Sequence, residues 1–136
     1  MTEVNQYQCV IVDFAYYDNE KNILVQVEDD GDKIDIFAEI EGIKIVVSDE
    51  YYLVAYQKFR DELLQLEYGL KCNGSRINAI QSGMMGYSDK VYLVEMGQQA
   101  LLNQSVCIWD YANMDNFPDT KMQLDYAEKW YGSLAI

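Results

Sequence analysis

Carboxylates dominate the side chains of this 136-residue chain that could do chemistry: 23 Asp and Glu stand against ten Lys and Arg, with no histidine. Without histidine, Ser-His-Asp and Cys-His arrangements are excluded, because no side chain of suitable pKa can take a nucleophile's proton near neutral pH. No GxxxxGK[ST] loop and no GxGxxG run is present, and Gly83, Gly86 and Gly97 are wrongly spaced to cradle a phosphate. Paired carboxylates can act as a glycosidase-like acid and base. Nothing in the pattern singles out two of them, so a solvated acidic strand face is the simpler account. Cys9, Cys72 and Cys107 lie far apart in apolar runs, as buried hydrophobes in a reducing compartment do. With no CxxC pair, neither a metal nor a cofactor is expected.

The charge is unevenly placed. Residues 1–50 hold 13 acids and three lysines, a net of −10, whereas the remaining 86 residues contribute −3. Such a field repels phosphate backbones, which argues against direct nucleic-acid binding, and steers basic partners inward. An acidic excess also simply keeps a small protein soluble. The densest stretch is Glu28 to Glu41, where Glu28, Asp29, Asp30, Asp32, Asp35, Glu39 and Glu41 accompany the single base Lys33. It reads either as a docking surface for a basic cleft, with Phe37 as an exposed apolar anchor, or as a strand protected by charge against edge-to-edge aggregation. A second candidate is the irregular segment Cys72 to Gly97, in which Arg76, Asn78, Gln81 and Ser82 mix with Met84, Met85 and Tyr87 around glycines. Long structured loops of this kind often carry recognition, although one of the two methionines is expected to cap the core.

The elements that must position these residues are legible from periodicity. Tyr7 to Tyr17 and Ile23 to Glu28 predict a hairpin across the turn DNEKN. Asp29 to Asp32 form the next turn, and Ile34, Ile36, Ala38 and Ile40 alternate with polar residues before Glu41-Gly42 and the strand Ile43 to Val47. A helix follows over about 49–68, with Ser48 as N-cap, Asp49 and Glu50 in its first turn, an apolar face of Leu53, Tyr56, Phe59, Leu63 and Leu66, and Gly69 at its C-terminal end. Short strands are expected at Leu70 to Cys72, Val91 to Met96 and Val106 to Trp109. A last helix over about 118–134 places Met122, Tyr126, Trp130 and Leu134 on one face. The fold class is therefore α+β: an antiparallel meander sheet with two main helices packed on it, in a single domain over 1–136. No run approaches the ~20 apolar residues of a membrane span, and the first residues lack the pattern of a secretory signal, so a cytoplasmic location is expected.

The run SRINAIQSGMMGYSDKVYLVEMG, followed by VCIWDYANMDNFPDTKMQ and a Trp-containing terminal segment, resembles a group of small bacterial cytosolic proteins. The chain is similar to the immunity proteins of contact-dependent growth inhibition and related polymorphic toxin systems. The resemblance spans roughly residues 69–134, and the pattern's proline before Ser-Gly-Met is Gln81 here. It implies a protein, not an enzyme, that binds and neutralises a cognate toxin domain, commonly a nuclease, without catalytic residues of its own. The partner-binding residues expected on this reading are Asp29, Asp30, Asp32, Asp35, Phe37, Glu39, Arg76, Asn78 and Tyr87. Two alternatives stand beside it. One is a regulatory or adaptor module for a basic partner; the other is a small enzyme that uses carboxylates with Arg76, which requires a cavity holding Arg76 and at least two acids.

Overall fold

The computed structural model describes residues 2–134. Four long strands form the expected meander: β1 (Glu3–Asp13), β2 (Asn19–Asp29), β3 (Ile34–Ile40) and β4 (Ile43–Asp49). A short strand, β5 (Tyr68–Leu70), joins beyond β1, giving a five-stranded sheet in the order β4-β3-β2-β1-β5. The alternation read in the sequence is what divides its two faces. Ile23, Val25 and Val27 of β2 and Ile34, Ile36, Ala38 and Ile40 of β3 point into the core, while Asp35, Phe37 and Glu39 point away. Ile40 pairs with Ile43 across Glu41 and Gly42, both at positive φ (50° and 79°), which is the two-residue turn whose twist suits a hairpin.

Helix α1 (Tyr52–Gln65) lies across the inner face and buries Tyr52, Ala55, Tyr56, Phe59 and Leu63 at helical spacing. Its ends differ from expectation. Ser48 belongs to β4 and pairs with Asp35, the N-cap is Tyr51, and the first turn holds no acid. Asp49 instead accepts a hydrogen bond from the Tyr51 amide (2.9 Å) and pairs with Lys58 (3.0 Å). At the other end Leu66 is the C-cap and Glu67 takes the left-handed conformation (φ 66°) usually left to glycine. Gly69 is needed elsewhere: on β5, a Cβ there would come within 2.6 Å of the Phe14 ring and 2.7 Å of Phe117.

The second half is more irregular. A three-stranded sheet, in the order β6-β7-β8, comprises β6 (Ala79–Ile80), β7 (Lys90–Leu93) and β8 (Val106–Cys107), so both longer predicted strands are cut short at their C-terminal ends. Its Ala79 and Val91, and Ile108 just after β8, join the main core, where Trp109 meets the edges of Tyr56 and Phe59 and stacks on Tyr7. Helix α2 (Thr120–Ser133) begins after Asp119, whose side chain accepts from the Met122 amide. Of the residues expected on its inner face, Trp130 is buried against Ile80 and Val94, while Met122 is exposed; Gln123 is the other buried side chain of α2.

A polar cluster ties α2 to α1. Gln123 Oε1 accepts from Arg60 Nη2 (2.7 Å) and Gln57 Nε2 (3.1 Å), and its Nε2 donates to the carbonyls of Gly74 (2.9 Å) and Arg76 (2.7 Å). Thr120 donates to Asp61 (2.6 Å), which also pairs with Arg60 (2.8 Å). Arg60 is 1% exposed, and its Nη1 is the one buried side-chain nitrogen or oxygen among the described residues with no hydrogen-bond partner.

Candidate functional site

Strand register, more than sequence proximity, decides which acids meet. Glu3 lies opposite Asp29, Asp29 opposite Ile34, and Ile34 opposite Asp49. The start of β1, the β2–β3 turn and the end of β4 therefore form one end of the sheet. This end gathers Glu3, Glu28, Asp29, Asp30, Asp32, Asp35, Asp49 and Glu50. Among the described residues Glu28, Asp29, Asp30, Asp32 and Glu50 make no ion pair; Lys33 pairs with Asp35 (3.8 Å) and Lys58 with Asp49. The far end of the sheet is different. There Lys21 holds both Asp13 (3.4 Å) and Glu41 (3.1 Å), and Lys71 holds Glu20 (2.9 Å). The uncompensated field thus belongs to the end bearing the β2–β3 turn.

That turn is shaped by its own carboxylates. Asp29 Oδ1 accepts from the Gly31 amide (2.9 Å), and Asp30 Oδ1 accepts from the amides of Asp32 and Lys33 (2.9 Å each), with Gly31 at φ 91°. The two amides hold the Asp30 carboxyl below its usual range. Asp32 remains exposed at the tip.

Beside the turn a cleft of about 200 Å³ is lined by Glu3, Asp29 and Asp89 together with Asn5, Ser88 and the rings of Tyr7, Tyr52 and Tyr87. Tyr52 is positioned by Trp109, whose Nε1 donates to its hydroxyl (2.9 Å). Burial pushes the hydroxyl pKa of Tyr52 strongly upward and that of Tyr7 upward as well, so both stay neutral and can donate. Tyr87 is raised chiefly by the adjacent Glu50 carboxylate and stacks on Tyr51 at 5.8 Å between centroids. On the far side of Tyr51 a second, apolar groove of about 340 Å³ runs between α1 and α2, lined by Val54, Ile80, Leu124, Ala127 and Tyr131 among others. The Tyr51–Tyr87 pair divides the two.

The expected partner-binding residues are therefore distributed over three places. Asp29, Asp30, Asp32 and Tyr87 meet at the acidic end, as does Asp35 at its outer margin. Phe37 and Glu39 lie on the outer sheet face, and Phe37 is half-buried between its cross-strand neighbours Gln26 and Val46; Val46, at 70% exposed, is the more open apolar residue there. Glu39 and Glu41 stand near the opposite end of β3, some 20 Å from Asp32 at ~3.3 Å per residue. The run Glu28 to Glu41 is accordingly two sites in space. Arg76 and Asn78 are elsewhere again. Arg76 donates to Asn73 (3.3 Å) and Asn78 to the Val94 carbonyl (3.0 Å), beside a cavity whose single acid is Asp115. The two carboxylates that a carboxylate enzyme needs at Arg76 are not assembled there. Of the two methionines, Met85 is buried and Met84 is 99% exposed.

Glu3, Tyr7, Glu50, Tyr52 and Asp89 escaped the sequence reading, since Tyr7 and Tyr52 look like core and Glu50 like a helix first turn. The hairpin register, which sets Glu3 against Asp29, was the signal that could have found the first. Among the described residues no group of three or more Cys, Asp or Glu is placed to hold a metal ion, and no helix is long and apolar enough to cross a membrane. Compared with known proteins, the chain matches no family model and no curated sequence.

Proposed function

We propose that this protein binds and neutralises a basic partner protein, in the manner of an immunity protein facing its toxin domain, and that it does so through the acidic end of the five-stranded sheet. The observation that carries this reading is the segregation of charge: Lys21 and Lys71 pair with Asp13, Glu20 and Glu41 at one end of the sheet, whereas at the other Lys33 and Lys58 hold Asp35 and Asp49 and leave Glu28, Asp29, Asp30, Asp32 and Glu50 without an ion pair among the described residues. Free carboxylates at a convex turn steer a cationic surface and need little rearrangement to receive it. The adjoining cleft supplies a specific anchor, since carboxylates and tyrosine rings together suit a guanidinium, which accepts both charge pairing and stacking on an aromatic face. Tyrosine and arginine are also the side chains that most often carry interface energy.

The test is coexpression with the C-terminal domain encoded by the adjacent upstream gene. The reading expects a stable complex that protects the cell, with association slowed at least tenfold by the triple reversal D29K/D32K/E50K. Tyr87→Ala should raise Kd by a larger factor than it changes the association rate, because it removes a contact and not a charge. A complex indifferent to both changes would move the interface away from this end. Failure to protect against that domain, with a basic protein of another kind bound instead, would favour an adaptor.

A further inference from the structure

Two of the three cysteines meet across one strand pair. β5 runs antiparallel to β1 with Ile11 opposite Leu70 and Val12 opposite Gly69. The pairing extends past the strand, where the Lys71 amide donates to the Val10 carbonyl (2.9 Å). Cys9, which precedes Val10, and Cys72, which follows Lys71, flank this bond, and Cys72 itself bridges to Tyr111. The regular ladder ends there, since the Lys71 carbonyl accepts from the Ala112 amide (3.1 Å) and the Cys72 amide turns back to the Leu70 carbonyl (3.1 Å). A disulfide spans Cα atoms ~4.4–6.8 Å apart, a separation within reach of residues that flank a cross-strand hydrogen bond. The thiols agree with the backbone. Cys72 and Cys9 belong to one core cluster, both are free thiols, and they are 0% and 2% exposed. Cys107 is half-buried on β8, where its thiol faces Asp89 (3.9 Å).

We propose that Cys9 and Cys72 are a redox-active dithiol, which a two-electron oxidant of the peroxide class converts to a cross-strand disulfide that seals the β1–β5 seam. One thiol attacks the peroxide, whose O–O bond breaks to leave a sulfenic acid and one water; the other sulfur then displaces the hydroxyl as a second water while the S–S bond forms. The two thiols lose two electrons and two protons, and hydrogen peroxide becomes two waters. The neutral product suits the apolar surroundings of Tyr56 and Leu70, where a metal held by two thiolates would leave buried charge. The neighbouring Cys9 thiol and burial together raise the Cys72 thiol, so the attacking thiolate is scarce while the strands are closed. Reaction therefore proceeds through local opening of β5, a three-residue strand at the edge of the sheet.

The experiment exposes the native full chain to graded hydrogen peroxide, blocks the remaining thiols and maps peptides without reduction. Two of the three thiols should disappear together with a mass loss of two hydrogens, linking the Cys9 and Cys72 peptides. Dithiothreitol should reverse the change, sub-denaturing urea should speed it, and the oxidised protein should melt several degrees higher. The variant Cys107→Ser should behave alike. Oxidation confined to Cys107, any other linkage, or loss of the Cys9–Cys72 bond in Cys107→Ser would overturn the proposal. So would two free thiols persisting after urea has made the β5 amides exchange.

Discussion

Gln123 is a single neutral side chain with four hydrogen bonds, three of them to buried groups. Truncating it strands the Gly74 carbonyl and part of the Arg60 guanidinium, which already has one orphaned nitrogen, while the Arg76 carbonyl keeps the Ala79 amide (3.1 Å). Gln123→Ala should therefore cost about 2–3 kcal/mol in denaturant unfolding, at the high end for one hydrogen-bonding side chain, because buried groups are left unpaired. Gly69→Ala works by sterics instead. The added methyl meets the Phe14 and Phe117 rings, which themselves contact edge-on at 5.3 Å, and a loss of about 1–3 kcal/mol is expected by the same measurement. Asp30 adds a pH dependence. Its folded pKa is depressed by the amides of Asp32 and Lys33, so its stabilising effect is complete above the unfolded carboxyl pKa and disappears as pH falls through the folded value. The protection of the Lys33 amide against exchange, relative to its intrinsic rate, should fall in acid, and in Asp30→Ala it should be lost at every pH.

At the scale of elements, α1 shows where periodicity informs and where it does not. The spacing of Tyr56, Phe59 and Leu63 follows from the 3.6-residue repeat and marks the buried face. The ends are fixed by neighbours that no window of the helix contains: Ser48 is claimed by the β3–β4 ladder, and Gly69 by two aromatic rings from distant loops. Glu67 carries the resulting strain at positive φ, so Glu67→Gly should stabilise by about 0.5–1 kcal/mol, read from the denaturation midpoint. The meander was legible because its alternation and turns are local. The β6–β8 sheet was not, since two-residue strands have too few positions for a period to register. Nor was the inner face of α2, where polar Gln123 takes a place that hydrophobic spacing assigned to Met122.

For the whole molecule the sequence located the acidity correctly in the first third but could not divide it. Glu39 and Asp32 belong to one acidic run of the chain yet lie toward opposite ends of the sheet, while Glu3 and Asp29 are far apart in the chain and adjacent in the sheet. Net charge alone cannot show this, because Lys21 and Lys71 neutralise acids at one end only. Association with a basic partner should therefore fall steeply as salt rises from about 0.05 M, and reversing Glu39 and Glu41 should alter it much less than reversing Asp29 and Asp32. Stopped-flow rates across a salt series decide between them.

The ring system around Trp109 gives the protein a built-in reporter. Its indole stacks on Tyr7 at 5.4 Å and donates to the Tyr52 hydroxyl, and both tyrosines line the acidic cleft. The only other indole, Trp130, sits on α2 with its nitrogen bonded to the Gln98 carbonyl (3.0 Å). A cation entering the cleft perturbs the emission of the first fluorophore and leaves the second as an internal reference, so Trp130→Phe should keep the binding signal and Trp109→Phe should lose it. Occupancy can then be followed by light from the native side chains, without a label.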